Sequence, residues 1–130
     1  MRLLLDTHIL LWLTLKPELL PASLRQTLQA EAHDLVVSAA SAWEISIKFH
    51  IGKMPEAKAL VRDFEGAISA LSAALLPITP AHAIRAGALA WAHRDPFDRL
   101  LVAQAQQDGL RLVSLDGHIM AYPDAPLFHL

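Results

Sequence analysis

Residues 2–15 read RLLLDTHILLWLTL. The first four residues form a short apolar run that ends at an acid, Asp6, and such a run is typical of a buried parallel strand. The residues after Asp6, from Thr7 to Thr14, are expected to begin a helix. A buried strand that passes directly into a helix favours a βαβ unit, in which the following strand lies parallel to the first.

The rest of the chain continues this alternation of strands and helices. Further strands are predicted for residues 34–38 (DLVVS), 74–78 (ALLPI, broken or ended by Pro77) and 110–114 (LRLVS). Further helices are predicted for residues 21–32, 41–52, 56–72, 80–91 and 96–108, with Gly52 and Gly109 as C-terminal stops. The alternation predicts an α/β domain with a parallel sheet covered by helices on both faces. Ligands of such sheets bind beyond the carboxyl ends of the strands.

The length of 130 residues fits a single domain, residues 1–130. The absence of cysteine excludes disulfides, thiolate zinc sites and cysteine nucleophiles, and it suits a reducing cytoplasm. Asp6 and His8 interrupt the apolar N-terminal run, and no stretch reaches the ~18 uninterrupted apolar residues of a membrane span. We therefore expect a soluble, cytoplasmic protein without a membrane partner.

The composition also bears on partners. The apolar fraction of 54% exceeds the roughly 45–50% usual for soluble domains, so part of the apolar surface is expected to be buried against another chain. Trp12, Trp43 and Trp91 lie on apolar helix faces, where packing in the core or in a dimer is expected rather than base stacking. The formal net charge of −2 lacks the basic surplus typical of nucleic-acid-binding domains, so such a partner would have to be bound locally.

Several acids stand at helix starts or turns, where each has an ordinary structural role. Asp6 could cap the helix that follows it, and Asp116 could form a turn. Glu44 lies in SAWE, a capping-box pattern with Ser41 as the cap. Glu44 also precedes Lys48 by four residues, which is the spacing of a surface ion pair.

The segment HRDPFDR, residues 93–99, holds two more acids. Asp95 followed by Pro96 predicts a helix cap with proline at the first helical position, and Asp98 suits the positive end of the same helix. None of the seven histidines shows a metal-ligand spacing. His93 is the only one beside the acids, and it is expected to be a surface histidine.

Taken together, four of these acids suggest a site. Asp6, Glu44, Asp98 and Asp116, which we call the acidic quartet, each lie at a strand end or in the first turn of a helix, and a parallel sheet brings such positions together. The four carboxylates would repel one another and raise one another's pKa unless cations neutralise them. Oxygen ligands without cysteine or patterned histidine favour Mg²⁺ or Mn²⁺.

Four further polar residues near the quartet have two explanations each. The hydroxyls of Thr7 and Ser38 could orient carboxylates or water, although hydroxyls at helix starts are more often caps. The side chain of Arg99 could hold a phosphate or pair with a neighbouring aspartate, and Lys48 could likewise hold a phosphate or pair with an acid.

Four segments together resemble a PIN domain of the VapC toxin type, found in toxin–antitoxin pairs: LLLDTHILLWL, VSAASAWEISIKFHIGKM, HRDPFDRLLVAQA and LRLVSLDGHI. The resemblance runs from Leu3 to about Tyr122, and it implies a three-layer α/β/α fold with a short central parallel sheet. It also implies a metal-dependent ribonuclease. Matched residue by residue, the motifs make the acidic quartet both the catalytic and the metal-binding residues, and they leave Asp95 as the helix cap with at most an outer role at the metal.

The same resemblance implies cofactors and partners. It implies Mg²⁺ or Mn²⁺, which activates water for attack on a phosphodiester, and products with 5′-phosphate and 3′-hydroxyl ends. The partners it implies are an RNA substrate and a cognate VapB-like antitoxin whose flexible tail covers the acidic site. The apolar composition adds the expectation of a homodimer formed by helices in the N-terminal half.

Two other functions remain open from the sequence. LLLDTH also resembles the first strand of haloacid-dehalogenase-like phosphatases, which form a phosphoaspartate, but those enzymes require a second aspartate where this chain has His8. A non-catalytic interaction module is the other alternative, with the acids acting only as caps.

Overall fold

The computed structural model describes residues 1–130 and contains one four-stranded sheet. The strands are β1 (Arg2–Leu5), β2 (Asp34–Ser38), β3 (Ala74–Leu76) and β4 (Arg111–Val113). Their order is β3-β2-β1-β4, and every neighbouring pair is parallel. In register, Leu4 of β1 lies beside Val36 of β2 on one side and Leu112 of β4 on the other. The predicted parallel sheet is therefore confirmed.

Eight helices connect and follow the strands. They are α1 (Thr7–Leu15), α2 (Ala22–Gln29), α3 (Ala39–His50), α4 (Lys58–Arg62), α5 (Phe64–Ala70), α6 (Pro80–Ala88), α7 (Pro96–Asp108) and α8 (Gly117–Met120). Short 3-10 turns occupy Pro17–Leu19 and Pro55–Ala57. None of the helices has the length and apolar character needed to cross a membrane.

Alternation along the strands sends apolar side chains to two separate cores. Leu3 and Leu5 of β1 lie in a cluster of 17 buried residues that includes side chains of α1 to α5. Leu4 lies in a second cluster of 9 buried residues that includes side chains of α7 and α8. Trp12 packs against the first cluster and Trp91 against the second, as expected. The helix predicted to reach residue 91 ends at Ala88, however, so Trp91 lies beyond α6 and not on a helix face. The sheet thus separates two helical layers, and the predicted three-layer α/β/α fold is confirmed.

The start of α3 differs from the prediction. The helix begins at Ala39, and its N-cap is Ser38, whose Oγ accepts a hydrogen bond of 2.9 Å from the amide of Ala40. The predicted capping box with Ser41 as the cap is therefore wrong, because Ser41 lies inside the helix and is fully buried. The helix begins directly at the end of β2, which places Glu44 one turn deeper than a capping box would.

The single helix predicted for residues 56–72 is also wrong. Two helices, α4 and α5, meet at Asp63, where φ is −146° and ψ is 72°. The Oδ1 of Asp63 accepts a hydrogen bond of 3.0 Å from the amide of Gly66, so this residue starts a new helix. Aspartate competes with helical backbone bonds in this way, and an apolar periodicity does not reveal it.

Candidate active site

Asp6 follows β1 directly and is almost completely buried, with 4% of its surface exposed. It occupies the N-cap position of α1, but its side chain makes no capping bond, so the capping role considered for it is wrong. Its Oδ2 instead accepts a hydrogen bond of 2.7 Å from the hydroxyl of Ser114, which follows β4. The carboxylate is thus directed to the edge of the sheet rather than to its own helix.

Burial raises the pKa of the Asp6 carboxyl above its usual value of 3.8. The hydrogen bond from Ser114 opposes this rise, and the negative charge of Glu44 adds to it. Asp6 and Glu44 therefore influence each other electrostatically, although they follow different strands.

Glu44 lies in the second turn of α3 and is buried, with 5% of its surface exposed. Its Oε2 accepts a hydrogen bond of 2.5 Å from the ammonium group of Lys48, so the predicted ion pair is confirmed. The Lys48 side chain remains about a third exposed. Lys48 therefore partly neutralises the Glu44 carboxylate.

Asp95 is the N-cap of α7, as predicted. Its Oδ1 accepts hydrogen bonds from the amides of Phe97, at 2.9 Å, and Asp98, at 3.2 Å. Asp98 itself takes no part in capping, and its Oδ2 lies 2.7 Å from Nε2 of His93. The two aspartates of this motif thus have different roles: one begins the helix, and the other faces a histidine.

Burial raises the pKa of Asp98 from 3.8 to about 6. The bond to His93 opposes the rise, while the charges of Asp95, Asp6 and Asp116 add to it. These contributions come from acids at the ends of β1 and β4 and at the start of α7. The carboxylates thus interact across this edge of the sheet, as the positions in the sequence suggest.

Asp116 does more than form the turn considered for it. Its Oδ1 accepts hydrogen bonds from the amides of His118, at 2.9 Å, and Ile119, at 3.1 Å, and so begins α8. Its own amide donates a bond of 3.0 Å to Oγ of Ser114, the same hydroxyl that donates to Asp6. Ser114 therefore links two acids of the quartet, a role that was not predicted.

A shallow cleft of about 280 Å³ opens beside these acids. Its lining consists of Asp6, His8, Ile9, Trp12, Leu115 and Asp116. Two members of the acidic quartet, Asp6 and Asp116, thus line the same cleft.

His93 is not the free surface histidine that was expected. Only 17% of its side chain is exposed, and its ring stacks on that of His118 with centroids 4.3 Å apart and planes within 9°. One potential ligand atom from each of His93, Asp95 and Asp98 lies within 4.8 Å of the other two. His93 thus belongs to the candidate site, although nothing in its sequence spacing predicts this.

The remaining predicted residues do not contact the quartet with their side chains. Oγ1 of Thr7 lies 3.0 Å from Oγ of Ser41 and joins α1 to α3. The hydroxyl of Ser38 caps α3 and donates to Oε1 of the buried Gln104. The guanidinium of Arg99 donates to main-chain carbonyls, so its expected pairing with Asp95 or Asp98 is wrong. The hydrogen bonds of these three side chains therefore go to the main chain and to other side chains, and none goes directly to a carboxylate of the quartet.

The donor set suits a hard divalent cation. Of the acidic quartet, Asp98 lies close enough to His93 and Asp95 for the three side chains to share one ion. Asp6 and Glu44 offer further carboxylate oxygens and are at least 95% buried. Burial raises the pKa of Asp98 and the charges of neighbouring acids add to the rise; a bound cation relieves repulsion between such acids. Carboxylates are the ligands that Mg²⁺ and Mn²⁺ prefer.

Comparison with known proteins gives a family. A comparison with curated proteins gives no match. The family model described as PIN domain matches residues 3–124, which is nearly the whole chain. The chain therefore belongs to the PIN-domain family.

Proposed function

We propose that this protein is a metal-dependent endoribonuclease in which the acidic quartet holds Mg²⁺ or Mn²⁺. PIN domains are generally nucleases, which gives the reaction class. The observation that carries the proposal is the position of Asp98: a carboxyl on the first turn of α7 whose pKa is raised to about 6 by burial and by acids that follow β1 and β4.

Three neighbouring side chains hold the four acids, with His93 beside Asp98. Ser114 orients Asp6 and the main chain of Asp116, while Lys48 orients Glu44. When bound, a divalent ion lowers the pKa of water and stabilises negative charge on the phosphate. A carboxylate that is not engaged by the ion is available to accept a proton.

The activity is tested by incubating the protein with a mixed RNA pool and Mn²⁺, with and without EDTA, and sequencing the new ends. We expect cleavage that EDTA abolishes and that Asp6→Asn or Asp98→Asn reduces below detection, because an amide keeps the shape but removes the ligand charge. The matched control is Asp34→Asn, an exposed aspartate at the opposite end of β2, which should cleave like the parent.

Two results would reject the proposal. Full cleavage by Asp6→Asn or Asp98→Asn would remove these acids from the reaction. A melting temperature that rises with beryllofluoride, together with no RNA cleavage, would instead favour the phosphoaspartate alternative.

We further propose that the protein is a VapC-type toxin that acts in the cytoplasm as a homodimer. Trp43 and Ile47 of α3, together with Ile51 at the C-terminal end of that helix, form an exposed apolar stripe. The exposed fractions of these three residues are 51%, 38% and 60%. An exposed apolar stripe of this kind is typical of a protein interface, and it lies in the N-terminal half of the chain. A second copy would bury the stripe about a two-fold axis.

Light scattering tests the dimer. The parent should have the mass of two chains and Ile47→Glu the mass of one, because a charge at the centre of the stripe would be buried. Ile84→Glu is the matched control, since Ile84 is 74% exposed on α6, away from this stripe, and should leave the dimer intact. A monomeric parent would contradict the proposal.

The antitoxin would be a small protein with a flexible tail that places an Arg or Lys among the acidic quartet. Such a tail takes over the neutralising role of the metal and folds as it binds. Expression of the protein alone should arrest growth, Asp6→Asn should not, and co-expression of the neighbouring gene product should restore growth. Normal growth with the active protein alone would exclude the toxin role without excluding the nuclease.

A further inference from the structure

All five N–H groups of Arg99 are used by one short segment of main chain. Nε donates to the carbonyl of Ala86 at 2.9 Å. Nη1 donates to the carbonyls of Trp91, at 2.8 Å, and His93, at 3.0 Å. Nη2 donates to the carbonyls of Leu89, at 2.9 Å, and Gly87, at 3.4 Å. The guanidinium thus has no donor left for a phosphate or a carboxylate.

The acceptors lie in the last turn of α6 and in the connection that leads to α7. The final carbonyls of a helix have no partner within the helix, and an irregular connection has none in a sheet. A planar guanidinium presents its donors in a fixed geometry. Five hydrogen bonds from it to one segment therefore determine the path of that segment's main chain. The hydrogen bonds of Arg99 therefore fix the main-chain conformation of residues 86–93.

The main-chain segment held by Arg99 ends at His93, whose side chain lies beside Asp98. The carbonyl of His93 is held by Arg99, and its ring contacts the Oδ2 of Asp98 at 2.7 Å. Asp98 and Arg99 are adjacent residues in the first turn of α7. The same turn thus holds both the main chain and the side chain of His93, which fixes the ring relative to the Asp98 carboxylate.

We propose that Arg99 is a positioning residue for the metal site, acting through His93 on Asp98; this rests on the nuclease function proposed above. Groups that orient a metal-binding side chain influence metal affinity without touching the ion. Arg99 would therefore contribute to cleavage although every one of its donors is bound to main chain.

The test compares Arg99→Lys, His93→Ala and the double variant by titration with Mn²⁺ in the absence of RNA, followed by cleavage kinetics. The lysine ammonium keeps the positive charge of Arg99 but cannot supply the five donors in the planar arrangement of a guanidinium. We expect Arg99→Lys to weaken Mn²⁺ binding by about 10-fold to 100-fold and to lower kcat while KM for RNA stays unchanged. His93→Ala should weaken binding similarly, and Arg99→Lys should add no further loss in the His93→Ala background.

The matched control is Arg85→Lys. Arg85 also uses its guanidinium in hydrogen bonds, but to the side chains of Gln106 and Gln107 at the other end of α7, so this variant should bind Mn²⁺ like the parent. Hydrogen exchange of residues 87–95 should accelerate in Arg99→Lys and not in Arg85→Lys, because only the former releases the segment.

The outcomes separate this inference from the function on which it rests. A parent protein that binds no Mn²⁺ would reject the metal site itself. A parent that binds Mn²⁺, with unchanged affinity in Arg99→Lys, would overturn the inference alone. The inference would also be overturned if the losses of Mn²⁺ affinity in the two single variants multiplied in the double variant, because Arg99 would then act by a route other than His93. If Arg99→Lys does not fold, unchanged Mn²⁺ affinity in His93→Ala would overturn it.

Discussion

The hydrogen bonds of individual side chains determine which acids remain free at this edge of the sheet. Asp95 and Asp116 each use Oδ1 to accept two main-chain amides, whereas Asp6 accepts none from its own helix. Asp6 receives the Ser114 hydroxyl instead. A capping aspartate can still offer its second oxygen, so capping and ligand roles are compatible for Asp116, while the side chain of Asp6 makes no capping bond.

The role of Asp95 is tested by two substitutions. Asp95→Asn should keep the stability and most of the cleavage activity, because asparagine caps helices as well as aspartate does. Asp95→Ala should lower the free energy of unfolding by about 1 kcal/mol, since two amides of α7 lose their acceptor. Denaturant unfolding and cleavage assays measure both effects. Complete loss of activity in a folded Asp95→Asn would place Asp95 among the metal ligands.

The raised pKa of Asp98 predicts a pH-dependent stability. Between pH 3.8 and about pH 6 the Asp98 carboxyl holds a proton in the folded protein, whereas the same carboxyl has released it in the unfolded chain. The contribution of Asp98 to stability therefore falls as the pH rises through this range, and it is least favourable above pH 6. Without metal, Asp98→Asn should exceed the parent in free energy of unfolding at pH 8, and the difference should shrink towards pH 4. A difference that is constant over this range would contradict the raised pKa.

Among the elements, helix ends follow local rules more closely than helix interiors do. Gly109 ends α7 with φ of +66°, a left-handed conformation that glycine adopts without strain, and Gly52 follows α3 with φ of +82°. Both ends were predicted from the sequence. The interruption at Asp63 was not, because it depends on which of two local hydrogen-bonding patterns the tertiary contacts favour.

Two glycines in neighbouring helices should respond oppositely to alanine. Gly109→Ala should lower the free energy of unfolding by about 1 kcal/mol, because alanine is strained at positive φ. Gly87→Ala should raise it by about 0.5 to 1 kcal/mol, since Gly87 lies within α6 and an added methyl group meets no atom within 4 Å. Thermal and denaturant unfolding measure both changes. If both substitutions changed the free energy of unfolding in the same direction, backbone conformation would not be what decides the effect of alanine at these positions.

Much of the fold can be predicted from the sequence because three strands, β1, β2 and β4, are short buried apolar runs next to a polar residue. The remaining strand, β3, is a short apolar run that is largely exposed and is followed by Pro77. The four strands and their parallel arrangement follow from this pattern, as does the candidate position of the acids beyond the strand ends. The parts that could not be predicted depend on distant contacts. Ser114 contacts an acid 108 residues away, and the path that brings His93 to Asp98 depends on Arg99 and main-chain carbonyls. Carbonyl acceptors carry no sequence signal.

For the molecule as a whole, the proposed site predicts a dependence of stability on divalent metal. A ligand that binds only the folded state stabilises it by about 2.7 kcal/mol at a hundred times its Kd. Mn²⁺ should therefore raise the melting temperature of the parent and of Asp34→Asn, and EDTA should reverse the rise. The Asp6→Asn/Asp98→Asn double variant should melt higher than the parent without metal, because repulsion is relieved, and should not respond to Mn²⁺. If Mn²⁺ raised the melting temperature of the double variant as much as that of the parent, the ion would bind elsewhere.

The position of β1 between β2 and β4 has a consequence for the nascent chain. The neighbour of β1, β4, comprises residues 111–113, and the hydroxyl that binds Asp6 belongs to Ser114, 108 positions further along the chain. A parallel neighbour so distant in the chain cannot pair until the intervening residues have been translated. Asp6 therefore lacks its final hydrogen-bond partner until translation has passed Ser114. A nascent chain shorter than this has the first acid of the quartet but not the surroundings that hold it.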